Sequence, residues 1–227
     1  MKQKLVHIMQ RIQAAAIRAN RNPDHIRLLA VSKTMPAQRV REAFEAGLTV
    51  FGENYIQEAR EKFQALAELP VSWHFIGHLQ TNKAKYAVRQ FDLIHTVDSL
   101  RLAAELDREA GKHQKIQNIL IQVNIAEESS KSGADEDQAI PLIQDISKLG
   151  HVRILGLMTM PPYDDDPERA RPFFRSLKTL SDRIHHLAVP GIAMTELSMG
   201  MSHDFEVAIE EGATLVRIGT AIFGERS

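Results

Sequence analysis

The 227-residue sequence contains no cysteine. That absence excludes a disulfide scaffold, an iron–sulfur cluster, a thiolate zinc site and a cysteine nucleophile. It also suits a reducing compartment, and a cytoplasmic location is expected. No excess of one charge is present: 28 basic against 29 acidic residues leave a formal net charge of −1. Without a basic footprint, nucleic acid is not an expected partner. No uninterrupted apolar run approaches the roughly 20 residues that span a bilayer, so no membrane is expected either. The N-terminal stretch MKQKLVHIMQRIQAAAIRAN is too interrupted by polar residues for a signal-peptide core and reads as an amphipathic helix. No Pro/Gly/Ser-rich linker divides the chain, so residues 1–227 are expected to form one domain. Phosphate-loop, H-E-x-x-H and G-x-S-x-G signatures are all missing. The histidines show no ligand spacing, and no metal site is expected.

What is present is alternation. Eight short apolar runs occupy residues 28–32, 49–52, 73–77, 93–97, 119–124, 154–159, 194–198 and 215–219. Helical patterns follow at 37–46, 55–67, 81–90, 99–111, 136–149, 168–187 and 202–211, after a leading helix over 4–18. Asp98-Ser99 and Asp135 stand where side-chain oxygens cap helix N-termini. Pro167 suits a first helical turn, and Gly47, Gly150 and Gly212 stand where left-handed C-caps fall. Strands alternating with helices imply parallel βαβ units. Eight such units in about 200–250 residues predict an α/β fold, a single (β/α)8 barrel with an extra N-terminal helix. An open doubly wound sheet usually has fewer strands and, for dinucleotides, an early G-x-G-x-x-G, which the first run lacks.

Barrel chemistry gathers at the C-terminal ends of strands. The first run ends in Ser32-Lys33, the second in Gly52-Glu53-Asn54, the third in Gly77-His78, the fourth in Asp98 and the fifth in Asn124. The sixth ends in Thr159-Met160, the seventh in Ser198-Met199-Gly200 and the eighth in Gly219-Thr220. Period-2 alternation places Leu29, Val31 and Lys33 on one face. If that face is the interior, Lys33 enters the barrel mouth, where a desolvated amine can form a Schiff base. The alternative is a lysine that extends to solvent. Arg217 lies mid-strand on the face of Leu215 and Gly219, and a guanidinium inside a barrel needs an acceptor. Its partner is Glu196, a ligand atom such as a ring nitrogen, or both. The loops after the last two strands are the usual phosphate-binding positions of barrels, although each alone could be an ordinary turn. The run Tyr163-Asp164-Asp165-Asp166 reads as a solvated loop.

Several motifs together resemble the YggS/PROSC family, the pyridoxal 5′-phosphate (PLP) homeostasis proteins. They are Ala30-Val31-Ser32-Lys33-Thr34, Phe51-Gly52-Glu53-Asn54-Tyr55, Trp73-His74-Phe75-Ile76-Gly77-His78-Leu79-Gln80 with Asn82-Lys83, and Ser130-Lys131-Ser132-Gly133. Gly156-Leu157-Met158-Thr159-Met160, Ser198-Met199-Gly200-Met201-Ser202-His203-Asp204 and Val216-Arg217-Ile218-Gly219-Thr220-Ala221-Ile222-Phe223-Gly224 complete the set. The resemblance covers residues 28–226 and implies the barrel half of fold-type III PLP enzymes, similar to alanine racemase. It implies PLP as an internal aldimine on Lys33, Arg217 facing the pyridine nitrogen, and Asn54 and Met160 flanking the ring. It implies Ser198, Met199, Gly200, Gly219 and Thr220 around the phosphate, with His78 and Ser202 as further candidates.

Arginine only donates hydrogen bonds and stays protonated, so it cannot give a proton to the ring nitrogen. An unprotonated ring is a weaker electron sink for a carbanion. The resemblance therefore favours a non-catalytic protein that carries, buffers or regulates PLP, with PLP-dependent apo-enzymes as recipients, and the lack of a strong exposed apolar stripe makes a monomer the expectation. A PLP-dependent amino-acid racemase is the alternative. A Schiff-base aldolase without PLP is a third reading, with Arg217 and the phosphate loops binding a phosphorylated sugar. Whether Lys83 or Lys131 offers a second PLP site is not decided by the sequence.

Overall fold

A computed structural model describes residues 1–126 and 132–224. In chain order its elements are α1 (Lys2–Arg18), β1 (Arg27–Val31), α2 (Ala37–Glu45), β2 (Val50–Glu53), α3 (Ile56–Ala65), β3 (Ser72–Phe75), α4 (Ala84–Gln90), β4 (Leu93–Val97) and α5 (Leu100–Lys112). There follow β5 (Gln117–Asn124), the two-residue β6 (Ala134–Asp135), α6 (Glu136–Ile146), β7 (Val152–Met158), α7 (Arg171–His186), β8 (Ile192–Met201), α8 (Phe205–Glu210), β9 (Leu215–Ile218) and α9 (Thr220–Phe223).

Eight of the strands pair in parallel in the order β4-β3-β2-β1-β9-β8-β7-β5, and β5 returns to β4 to close the sheet. The result is the expected (β/α)8 barrel with an additional N-terminal helix. β6 only extends the edge beside β5. Period-2 alternation separates two cores. Outward residues such as Phe51, Phe75, Ile94, Val216 and Ile218 pack under the helices in the main cluster. Leu93, Leu120, Met158 and Leu215 form a second, smaller cluster inside the barrel. One step further along β4 and β9 the inner residues become His95 and Arg217, so the interior changes from apolar to polar toward the strand ends.

The apolar runs locate every barrel strand, with ends displaced by up to three residues. β8 is the longest, because it runs on from the seventh run through Gly200 to Met201. Ser99 Oγ accepts the Leu102 N–H as a cap should. Asp135 makes no such bond; its backbone instead pairs with Asn124 as the end of β6, and Glu136 and Asp137 supply the negative charge of the first turn. Gly47 and Gly212 take left-handed conformations, whereas Gly150 does not. Pro167 opens a 3-10 turn that precedes α7.

α1 is part of the packed structure. Its Leu5, Ile8, Ile12, Ala15 and Ala16 are buried, against α8 among other elements. Arg11 binds Glu206 at 2.7 Å and lies 4.7 Å from the Phe205 ring centroid. α8 begins at the cavity described below, so α1 braces that side of the barrel. Truncating the buried Ile12 to Ala should cost about 2–5 kcal/mol of stability. Truncating the exposed Val6 should cost no more than about 0.5 kcal/mol. Urea denaturation midpoints check both.

Candidate functional site

Lys33, Asn54, Met160, Arg217, Gly219 and Thr220 line one cavity of about 300 Å³ at the C-terminal ends of the strands. Val31, Met35 and Ile76 supply an apolar wall, and Met201, Ser202 and His203 a further side. The other three expected residues lie outside the cavity lining. Ser198 is fully buried, with Oγ engaged by Arg217 and His95. The Met199 side chain faces outward into the main core. Gly200 backs onto α8: a Cβ there would fall 2.5 Å from Ala208 Cβ, and its φ is +89°. His78 is exposed and its ring lies 3.4 Å from Ser132 Oγ.

A buried polar cluster anchors the loop that carries Lys33. Ser32 N–H donates to the Gly52 carbonyl at 3.0 Å, extending the β1–β2 ladder by one bond. Ser32 Oγ donates to Glu53 Oε1 at 2.5 Å. Lys62 Nζ, from α3, donates to both Glu53 Oε1 at 2.7 Å and the Ser32 carbonyl at 2.6 Å. Burial pushes the Glu53 carboxyl above its ordinary value, although Lys62 opposes this. The chain then turns back sharply. Thr34 takes φ = +64°, a strained conformation for a β-branched residue. Its N–H is held by Glu58 Oε2 at 2.9 Å and its hydroxyl by the Lys33 carbonyl at 2.6 Å. The turn thus ends β1 and leaves Lys33 at the cavity wall.

Asn54 is fixed from the side of β3. A Cβ on Gly77 would lie 2.2 Å from the Asn54 carbonyl oxygen, so only glycine permits this approach. Thr96 Oγ1 holds the Gly77 carbonyl at 2.7 Å. Asn54 Oδ1 is buried and has no hydrogen-bond partner among the described residues. An unpaired buried oxygen on a cavity wall fits a ligand that brings a donor.

Arg217 does not pair with Glu196. That carboxylate lies at the other end of the barrel interior, bound by Arg27 and by Thr214 Oγ1. Arg217 donates instead to Ser198 Oγ at 2.7 Å and to the Thr159 carbonyl at 2.9 Å. Burial pulls its guanidinium down to about 10, which still leaves it a cation at neutral pH. Ser198 Oγ lies 2.9 Å from His95 Nδ1, and His95 Nε2 lies 3.0 Å from His74 Nδ1. Burial pushes the His74 imidazole down to about 3 and holds His95 well below its ordinary value, so both are neutral. Scattered spacing concealed these two histidines in the sequence; only barrel closure brings their strands to face Ser198.

Tyr163, which the sequence suggested was merely solvated, reaches the cavity rim. Its hydroxyl donates to Asp165 Oδ1 at 3.2 Å and its ring lies 5.6 Å from that of His203. His203 Nε2 lies 2.9 Å from the Asp165 carbonyl, which ties the two loops together. Ser130, Lys131 and Arg226 lie outside the described residues.

Fold and site together define a βα barrel with a cationic, partly apolar cavity at its C-terminal mouth. The model of the alanine racemase N-terminal domain family matches residues 4–227. A pyridoxal phosphate homeostasis protein of Aquifex aeolicus is 47% identical over 99% of this chain and 97% of its own length. PipY of Synechococcus elongatus, solved with PLP bound, superposes with a TM-score of 0.83 at 39% identity, over 96% of this chain and 100% of that one. Clostridium difficile alanine racemase shares the fold at 14% identity, with a TM-score of 0.75 over 99% of this chain and 57% of that one. The chain belongs to the alanine racemase N-terminal domain family and, within it, to the pyridoxal phosphate homeostasis proteins.

The neutral histidines make stability pH-dependent. The unfolded chain binds protons at these sites from about pH 6.5 downward, whereas folded His74 resists them until about pH 3. Their stabilising contribution is therefore complete above about pH 6.5 and is lost as the pH falls. Between pH 7 and pH 5, His74 alone should account for about 2 kcal/mol, with a further loss from His95. Urea midpoints measured against pH should fall over this range, and the slope should flatten in His74→Gln.

Proposed function

We propose that this chain binds PLP in the Lys33–Arg217 cavity and holds it reversibly, as a carrier or buffer. PLP supplies an aldehyde that condenses reversibly with a primary amine, and Lys33 is the residue that holds it covalently. Arg217 directs its remaining donors to the ring nitrogen. Asn54 and Met160 flank the ring, and Asn54 Oδ1 accepts a donor from it or from bound water. The phosphate end is held by Gly219 and Thr220, joined by Ser202. Ser198, Met199 and Gly200 support that end from beneath. The observation that carries this reading is the meeting of Lys33, Arg217 and unpaired Asn54 on one small cavity. The relatives' shared name and the PLP bound in PipY support the same ligand.

A non-catalytic role suits the cavity's chemistry better than a racemase does. Racemisation needs a second base opposite the lysine. Tyr163 is the tyrosine that lines the cavity, but its phenol is pushed up by the hydrogen bond to Asp165. That makes it a reluctant base at neutral pH. We propose further that residues 1–227 act as a single domain, as a monomer in the cytoplasm, and pass PLP to PLP-dependent apo-enzymes.

Titration with PLP should produce a yellow absorbance band that Lys33→Ala loses. Arg217→Ala should keep the band but weaken binding about 10–100-fold, the worth of one charge-assisted hydrogen bond. A full band in Lys33→Ala would contradict covalent attachment there, and unchanged affinity in Arg217→Ala would make that residue structural. Incubation of the PLP-loaded protein with amino acids in deuterated water should give no rapid exchange at Cα. Rapid exchange with turnover would favour the racemase instead.

A further inference from the structure

We infer that Ser198, His95 and His74 form a hydrogen-bond relay of fixed direction that positions Arg217 for its ligand without neutralising its charge. This rests on the reading of the cavity as a PLP site.

The direction follows from donor chemistry. A guanidinium only donates, so Ser198 Oγ accepts from Arg217. The Ser198 hydroxyl proton then needs its own acceptor, and among the described residues that acceptor is His95 Nδ1 at 2.9 Å. His95 must therefore carry its proton on Nε2, which donates to His74 Nδ1 at 3.0 Å. His74 in turn carries its proton on Nε2. Every side chain in the series is buried. The series runs from β9 to β8, then to β4 and β3 on the far side of the barrel. Neutral imidazoles are required throughout, and burial keeps both neutral.

The alternative way to hold an interior arginine is a carboxylate in direct contact, and among the described residues this fold does not use one. Among the described residues Arg217 forms no ion pair: Glu196 is taken by Arg27, and the buried Asp204 carboxylate, which accepts the Met201 N–H at 2.6 Å, favours the charge without touching it. A carboxylate would fix the guanidinium but also satisfy its charge. A serine and a carbonyl fix one edge and leave the charge for an acceptor in the cavity. Ser198, His95 and His74 are therefore positioning residues.

Two measurements test this. In protein labelled with ¹⁵N-histidine and free of PLP, His95 and His74 should both appear as neutral Nε2–H tautomers between pH 6 and pH 8. A proton on His95 Nδ1 overturns the relay. In PLP titrations, Ser198→Ala should bind about tenfold more weakly than wild type, as expected for loss of one hydrogen bond to a charged group. Ser198→Thr, which keeps the hydroxyl, should recover binding to within about twofold. His95→Phe should weaken PLP in the same direction, and it decides the matter if Ser198→Ala fails to fold. Wild-type affinity in a folded Ser198→Ala or His95→Phe overturns the relay. A wild-type protein that takes up no PLP defeats the proposed function instead, and the imidazole spectrum then decides the relay alone.

Discussion

A buried cation held, among the described residues, by no carboxylate in contact is the constraint around which this barrel is organised. Arg217 sits where the interior changes from leucine to polar side chains, and its charge is costly there unless acceptors surround it. The fold answers with a serine hydroxyl and a carbonyl, backed by two neutral histidines. The serine and the carbonyl come from the neighbouring β8 and the end of β7, whereas the histidines reach Ser198 from β4 and β3, which only the closed barrel brings opposite. The β1–β9 pairing that joins the N-terminal and C-terminal strands sets Leu29 opposite Arg217. Two residues beyond that register, Val31 and Gly219 already lie on the cavity wall, and Lys33 follows.

The same economy governs Lys33. Its backbone is fixed by the buried pair of Glu53 and Lys62 and by the strained turn at Thr34, while its side chain lines the cavity. Strain of about 1–3 kcal/mol at Thr34 is tolerable only because Glu58 and the Lys62 cluster over-determine the turn. Rigid support beneath a reactive side chain limits the ordering that ligand capture requires.

Much of this was legible in the sequence. Eight β-branched runs alternating with helices gave the barrel, because period and spacing are local properties. Strand-end position pointed to Lys33, Asn54, Met160, Gly219 and Thr220, and inward parity to mid-strand Arg217, and the structure brings all six to one cavity. The partner of Arg217 was not legible. Parity allowed Glu196, but the distance along the barrel axis decides the matter, and Glu196 lies nearer Arg27. His74 and His95 were equally hidden, since 21 residues separate them in sequence and nothing local signals their contact. The hydroxyl of Ser198 is turned down to Arg217 while Ser202 lines the cavity, an arrangement that strand-end position alone did not signal. Tyr163 was lost among aspartates because a loop's path is set by what it meets, here His203.

The most direct test of a reversible PLP site at Lys33 is peptide mapping by mass spectrometry after PLP loading and borohydride reduction. The pyridoxyl mass should fall on the peptide containing Lys33, at close to one per chain. A label spread over surface lysines such as Lys85 and Lys148, with Lys33 unmodified, would contradict the assignment of this cavity.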